Sequence, residues 1–362
     1  MKVKYNLPIM IVLSAAVLLP MGANARVSVS DLQLSDGVIL IDQAKAMAGN
    51  VTPGDAAGFP VTIGQSGSYR LASNLTVADG TKDGIEITTN NVTVDLNGFS
   101  ISGSGNGIGR GIVGPSSITV ENGVVRDMGG HGIELDSQAR VQKVRSFGNG
   151  GHGISVTSAG ILNDNSAADN AGNGIRIGVT SVVIGNAANV NGGNGIEEVV
   201  AFQSPPAQGG GSLVKNNTVG RNTGNGIVVG GSSMVKDNTA NSNDMNGIVV
   251  FDFNDDPLVA GCLVVSNTAN LNNSDGINTQ AGCSVKNNTA NGNNDDGIDV
   301  HAASLVLDNM TRDNINFGLR LGIRVGYGHN VVTDNNGGLA FPQVFGGIEI
   351  DTNLCGTDTI CP

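Results

Sequence analysis

Residues 131–177 read HGIELDSQARVQKVRSFGNGGHGISVTSAGILNDNSAADNAGNGIRI. Gly132-Ile133, Gly153-Ile154 and Gly174-Ile175 open the same phrase at every twenty-first residue. Working outward, a Gly followed by Ile or Leu recurs at Gly84, Gly111, Gly195, Gly226, Gly247, Gly276, Gly297, Gly318 and Gly347. Three later steps (195 to 226, 247 to 276 and 318 to 347) are longer and carry the same period plus an insertion. Counted from each anchor Gly, position +1 is aliphatic (Ile133, Ile154, Ile175, Ile196), and so is +9 (Val120, Val141, Leu162, Val183, Val235, Val285, Val306). Between +1 and +3, apolar and polar residues alternate, as in Ile298-Asp299-Val300, which is the period of a strand and not of a helix.

Two further columns are polar. Position +12 is Asn at 165, 186, 217, 238, 267, 288 and 309, and +17 is Asn at 149, 170, 191, 222, 243, 272, 293 and 314. The residue between them, at +14, is small (Ala167, Ala188, Ala240, Ala269, Ala290). Stacked asparagines pass amide hydrogen bonds from coil to coil and accept turn dihedrals that other residues resist. The expected fold is therefore an all-β parallel solenoid of about 12 rungs, each burying its aliphatics only against its neighbours. At ~4.8 Å per rung the rod would be ~55 Å long.

Composition agrees. The 362 residues include 55 Gly and no Trp, with 39% hydrophobic and 14% charged residues. So many glycines are too costly for helices, and the absence of a Gly at every third position excludes collagen. The hydrophobic fraction still supports a core, which excludes wholesale disorder.

The repeat resembles the right-handed parallel β-helix proteins of the pectate-lyase-like superfamily. Upstream, Gly67-Ser68-Tyr69-Arg70-Leu71, Asn74-Leu75-Thr76-Val77 and Val92-Thr93-Val94-Asp95-Leu96-Asn97-Gly98 are similar to the opening rungs of many exported members. The resemblance spans roughly residues 66–350 and implies the fold. It leaves the activity open, because lyases, hydrolases, epimerases, adhesins and non-enzymes share it.

Residues 1–25 read as a signal peptide: Lys2 and Lys4, an apolar run from Ile9 to Leu19, and the cleavage pattern Ala23-Asn24-Ala25. That run is too short for the ~20 residues a membrane span requires. Export to the periplasm or the exterior follows, which permits disulfides. Residues 26–65 lack the repeat and are expected to cap the solenoid, with a short helix around Ile41–Ala48; residues 351–362 form a tail. The formal charge is −12, and loss of Lys2 and Lys4 makes it two units more negative. Such a surface repels nucleic acid and anionic membranes, and would repel an anionic polysaccharide unless metal ions intervene.

Insertions after Gly195 and Gly247 fall at the same corner of the coil. They bring Phe202, Phe251, Asp252 and Phe253 to what would be the walls of a groove, a combination of aromatic and acidic groups suited to a sugar. Surface loops that merely tolerate insertion are the competing reading. Asp252, Asp255 and Asp256 are also oxygen ligands of the kind Ca²⁺ takes, although no calcium-binding nonapeptide occurs; no other cofactor is implied.

The residue before the anchor Gly is polar in successive rungs: His131, His152, Asn173, Asn194, Asn225, Asn246, Asp275 and Asp296. Asn273-Ser274-Asp275-Gly276 followed one coil later by Asn294-Asp295-Asp296-Gly297 resembles the N-T-D and D-D motifs of polygalacturonase-type hydrolases. By that resemblance Asp275, Asp295 and Asp296 would be catalytic, in an inverting hydrolysis between carboxyls ~6.5–9.5 Å apart. The pattern departs from the family where a G-H-G would follow, which here is Asn316-Phe317-Gly318, and where R-I-K would follow, which here is Ile323-Arg324-Val325. Elimination is disfavoured, since no Arg or Lys cluster accompanies these rungs. For the acids to work, the column must face outward, which would need the anchor Gly in a bulge or left-handed turn. A plain turn ladder is the alternative, for the acids and for the adjacent His131 and His152 alike.

Cys262 and Cys283 both fall at +7 once the insertion is subtracted, so their Cα atoms should lie ~4.8 Å apart on adjacent rungs, within disulfide range. A buried pair of free thiols competes with that bond. Cys355 and Cys361 would staple the tail. Two functions remain: a protein that binds or processes an extracellular polysaccharide or cell-surface glycan, and a non-catalytic structural or adhesive rod.

Overall fold

A computed structural model describes residues 37–199, 210–251, 261–338, 342–356 and 361. The signal segment, Phe202, Asp252, Phe253, Asp255 and Asp256 lie outside the described residues.

Most sequence periods fold into three short strands that pair in parallel with their counterparts one turn away, two of the strands merging in Ile118–Arg126, Arg140–Phe147 and Leu319–Gly328. Ile133–Leu135 pairs with Ile154–Val156, which pairs with Ile175–Gly178, and the register holds the +1 isoleucines directly over one another. The second strand of each turn stacks likewise, as Ile161–Asn163 on Val182–Ile184, and so does the third, as Ser166–Ala168 on Ala187–Asn189. The result is an all-β right-handed solenoid of about 13 turns with almost no helix.

Ile133, Ile154, Ile175, Ile196, Ile227, Ile248, Ile277 and Ile298 are fully buried in one column. Val141, Leu162, Val183, Val214 and Val235 form a second, and the small side chains at position +14 a third. The coil turns so tightly beside these columns that only Gly fits at the anchor. A Cβ on Gly276 would lie 2.6 Å from Gly297 O and 2.8 Å from Ala290 Cβ.

At the N-terminal end, the strand Ile39–Ile41 pairs with Tyr69–Leu71 and Val61–Ile63 pairs with Ile85–Ile87, so this segment contributes strands to the stack. The helix Gln43–Ala48 follows the first of these strands, its first turn capped by the Asp42 carboxylate accepting from Lys45 N–H. Disulfides join Cys262 to Cys283, with Cα atoms 4.5 Å apart, and Cys355 to Cys361, 5.2 Å apart. Among the described residues no helix is long and apolar enough to cross a membrane.

Candidate functional site

The turns between strands decide where polar side chains sit. A backbone N–H at a buried turn needs an acceptor, and strand pairing does not supply one there. In the +12 column the side chains supply it: Asn165 donates through both its backbone N–H and Nδ2 to Asn186 Oδ1, at 2.9 and 3.0 Å. The second Nδ2 hydrogen goes to Val141 O. The pattern continues to Asn330 and Asn353, and the +17 column runs on through Asn335 to Gln343. The left-handed dihedrals fall one residue earlier than expected, on Asp164, Asp237, Asp308, Asp169 and Asp313, each preceding a ladder Asn. The ladder asparagines are thus fixed by their amides and not by backbone permissiveness.

The column before the anchor Gly is a third ladder, running in the opposite sense. Each side chain accepts the backbone N–H of the corresponding residue one turn on. His152 N–H donates to His131 Nδ1 at 2.8 Å, Asn173 N–H to His152 Nδ1 at 2.9 Å, and Asn194 N–H to Asn173 Oδ1 at 2.8 Å. Asp296 N–H donates to Asp275 Oδ1 at 3.1 Å, and Phe317 N–H to Asp296 Oδ1 at 2.9 Å. The imidazoles stack with centroids 4.7 Å apart and planes 1° from parallel.

This geometry corrects the expected arrangement of the acids. The anchor glycines preceding Ile277 and Ile298 are not in left-handed conformation, and the column is not turned outward. Asp275 and Asp296 are buried, at 6% and 1% exposure. One oxygen of each carboxylate is met in the interior by a backbone N–H of the next turn. One oxygen from each of Asp275, Asp295 and Asp296 lies within 4.8 Å of the others. That is closer than the ~6.5–9.5 Å that leaves room for water between inverting carboxyls. Burial, followed by the charges of Asp275, Asp295 and Asp299, pushes Asp296 up to about 6 against the Phe317 N–H bond that lowers it. Burial likewise raises Asp275, whose Oδ2 accepts from Asn278 Nδ2 at 2.8 Å.

Beside these acids, the outward residues of the strands after the anchor Gly form a shallow depression of about 350 Å³ lined by Asp299, His301, Arg320 and Phe345. Burial raises the Asp299 carboxyl, opposed by the charges of His301 and Arg320. Arg320 Nη1 lies 3.6 Å from Asp296 Oδ2, and the Phe345 ring is 5.2 Å from that of Phe317. A second depression of about 350 Å³ lies on the same strand column further up, with Glu86, Arg110, Glu134 and Arg176 on its walls. There Arg110 pairs with both Asp83 and Glu134 at 2.8 Å. Phe251 ends the strand Ile248–Phe251, half-buried, on the same strand column two turns before Ile298–Val300, and it lines neither depression. The two insertions follow Ile196–Val199 and Ile248–Phe251, strands of the same column with Ile227–Gly230 between them.

Sequence reading missed Asp299 as a site residue, together with His301, Arg320 and Phe345. It also missed Glu198, which takes an inward position held by Ile177 one turn earlier. Its carboxylate is buried and accepts from Ser212 Oγ at 2.7 Å, Gly230 N–H at 2.8 Å and Ser233 Oγ at 3.3 Å. The signal for Glu198 was a charged residue at +3, a position held by Leu135, Val156, Ile177, Val229, Val250 and Val300 on other turns.

A family profile described as a right-handed β-helix region matches residues 61–204 and 112–269. No curated protein matches the chain. Among solved structures, the chain is similar to the mannuronan C-5 epimerase AlgE4 A-module of Azotobacter vinelandii, at 13% identity over 82% of this chain and 91% of that one, with a TM-score of 0.47. A double mutant of the periplasmic alginate epimerase AlgG matches at 14% identity over 80% and 76%, with a TM-score of 0.50. Tailspike protein 3 of bacteriophage CBA120 matches at 11% identity over 84% of this chain and 55% of that one, with a TM-score of 0.52. At these identities the likeness of the last two establishes the fold alone.

Proposed function

The chain belongs to the right-handed β-helix family, and on that footing we propose that it is an exported protein that binds polysaccharide on the outer face of the strands following its anchor glycines. The observation that carries this reading is the depression lined by Asp299, His301, Arg320 and Phe345. A carboxylate, an imidazole and a guanidinium supply hydrogen-bond donors and acceptors for hydroxyls, and an exposed ring supplies a flat apolar surface for a sugar face. The site is shallow and open, as suits a chain laid across rungs. The signal-like segment and the two disulfides support export. The fold neighbour named as a periplasmic alginate epimerase is in keeping with a polysaccharide partner.

Binding is favoured over hydrolysis. Asp275 and Asp296 are buried, and each commits an oxygen to the next turn's backbone. A glycan array probed with the mature protein tests the proposal. Retention of at least one polysaccharide by the wild type, with a tenfold or greater loss in Asp299→Ala/Arg320→Ala, is expected. Silence across the array would favour the structural rod.

A further inference from the structure

The two acidic rungs break the hydrogen-bonding logic of the ladder they occupy. In the Asn rungs preceding them, the side chain both accepts and donates. Asn225 and Asn246 receive the next turn's N–H on Oδ1, at 3.0 and 2.9 Å, and each also donates Nδ2 to the preceding side chain at 3.2 Å. An aspartate keeps the acceptor and loses the donor. Asp296 therefore uses Oδ1 for Phe317 N–H and leaves Oδ2 buried with no hydrogen bond. Its nearest cation, Arg320 Nη1, stands at 3.6 Å, beyond hydrogen-bonding reach, on a side chain 54% exposed. One oxygen from each of Asp275, Asp295 and Asp296 lies within 4.8 Å of the others, and Asp275 and Asp295 meet there with hydrogen bonds already accepted from Asp296 N–H, Asn278 Nδ2 and Asn316 Nδ2.

Three carboxylates thus converge where the ladder lacks a donor, and one of their oxygens is buried without a partner. Leaving such an oxygen unmet costs more than a surface charge would. We propose that Asp275, Asp295 and Asp296 form a Ca²⁺ site, in which the cation replaces the missing amide donor and ties adjacent rungs together. Calcium is the ion of choice on three grounds. The donors are all hard oxygens. Oxygens spread up to 4.8 Å apart match a shell of ~2.3–2.6 Å radius better than the tight ~2.0–2.1 Å octahedron of Mg²⁺. Asp295 is only half-buried, which leaves one side of the site open to water ligands. The proposed ligands include none of Asp252, Asp255 and Asp256, and the site does not depend on the glycan proposal.

The test uses the mature chain, stripped with chelator and titrated with CaCl₂ by calorimetry, alongside thermal melts with calcium or EDTA. The informative variant is Asp275→Asn/Asp296→Asn, which restores the side chain found in the neighbouring rungs and should fold. The wild type is expected to bind Ca²⁺ and to melt several degrees higher in its presence. The variant should lose that binding by a hundredfold or more and melt in EDTA at or above the wild type. A second variant, Asp252→Asn/Asp255→Asn/Asp256→Asn, should retain it. Absence of a calcium effect in the wild type, unchanged binding in the ladder variant, or loss only in the second variant would each overturn the site.

Discussion

At the scale of single residues, the ladders make side-chain chemistry serve backbone accounting. His152 illustrates the consequence. Its Nδ1 must stay unprotonated to accept Asn173 N–H, and it stacks on His131 with Arg176 and Glu134 near. Burial, then the charges of His131 and Arg176, lower it to about 4 against the opposing effect of Glu134. A depressed imidazole contributes stability that is complete above the unfolded value of ~6.5 and lost as pH falls toward the folded one. Because the ring is partly exposed and screened by water, the loss should be about 1–2 kcal/mol. His152→Asn, the residue of the next rung, should flatten it. Urea midpoints at pH 7 and 4.5 check this: the wild type should lose more stability than the variant.

Glu198 has the opposite sign. Burial raises its carboxyl, against the hydrogen bonds from Ser212, Gly230 and Ser233 that lower it. The unfolded chain then ionises first, and stability falls as pH climbs from ~4.3 toward the folded value. Glu198→Gln keeps an acceptor for Gly230 N–H and gives the serine hydroxyls a donor. Its stability at pH 7 relative to pH 4 should exceed that of the wild type, measured by the same midpoints.

At the scale of the rung, the Asn columns behave as continuous elements. Asn238 receives Asn217 N–H and Nδ2–H, and donates to Val214 O and Asn267 Oδ1. Asn238→Ala would strand these partners in the interior, at a cost of about 2–4 kcal/mol. The same change at Asn353, whose Nδ2 reaches Glu349 and Asp351 O at the end of the rod, should cost less. Denaturant titration of both variants separates the two; equal losses would argue against a continuous ladder.

The Asn columns were legible because an amide that both donates to and accepts from its neighbours favours the same residue on the next turn, so the residue type repeats in register. The column before the anchor Gly was seen but misdirected. Strand alternation was set aside there in favour of an outward turn, on the ground that burying His, Asn and Asp is expensive. The backbone donors of the next turn meet that expense, which is why Asp275 and Asp296 were expected outside and lie inside.

At the scale of the whole molecule, the repeat period sets both fold and register, because every turn buries the same positions against the next. The outward residues escaped the same reading. Glu134, Ser155, Arg176, Asp299 and Arg320 occupy equivalent positions on their turns yet change from acid to hydroxyl to base without order, since nothing in the repeat constrains them. A residue there that contacts a ligand is indistinguishable in sequence from one that only meets water. Only the fold brings Asp299, His301, Arg320 and Phe345 around one depression.

That this depression holds a glycan is tested most directly by calorimetric titration of an array-positive oligosaccharide into the wild type, Asp299→Ala/Arg320→Ala/Phe345→Ala, and Glu134→Ala/Arg176→Ala. We expect a thirtyfold or greater loss of affinity, roughly 2 kcal/mol, in the triple variant, with the double variant close to wild type. Equal affinity in the wild type and the triple variant, with both folded, would contradict it.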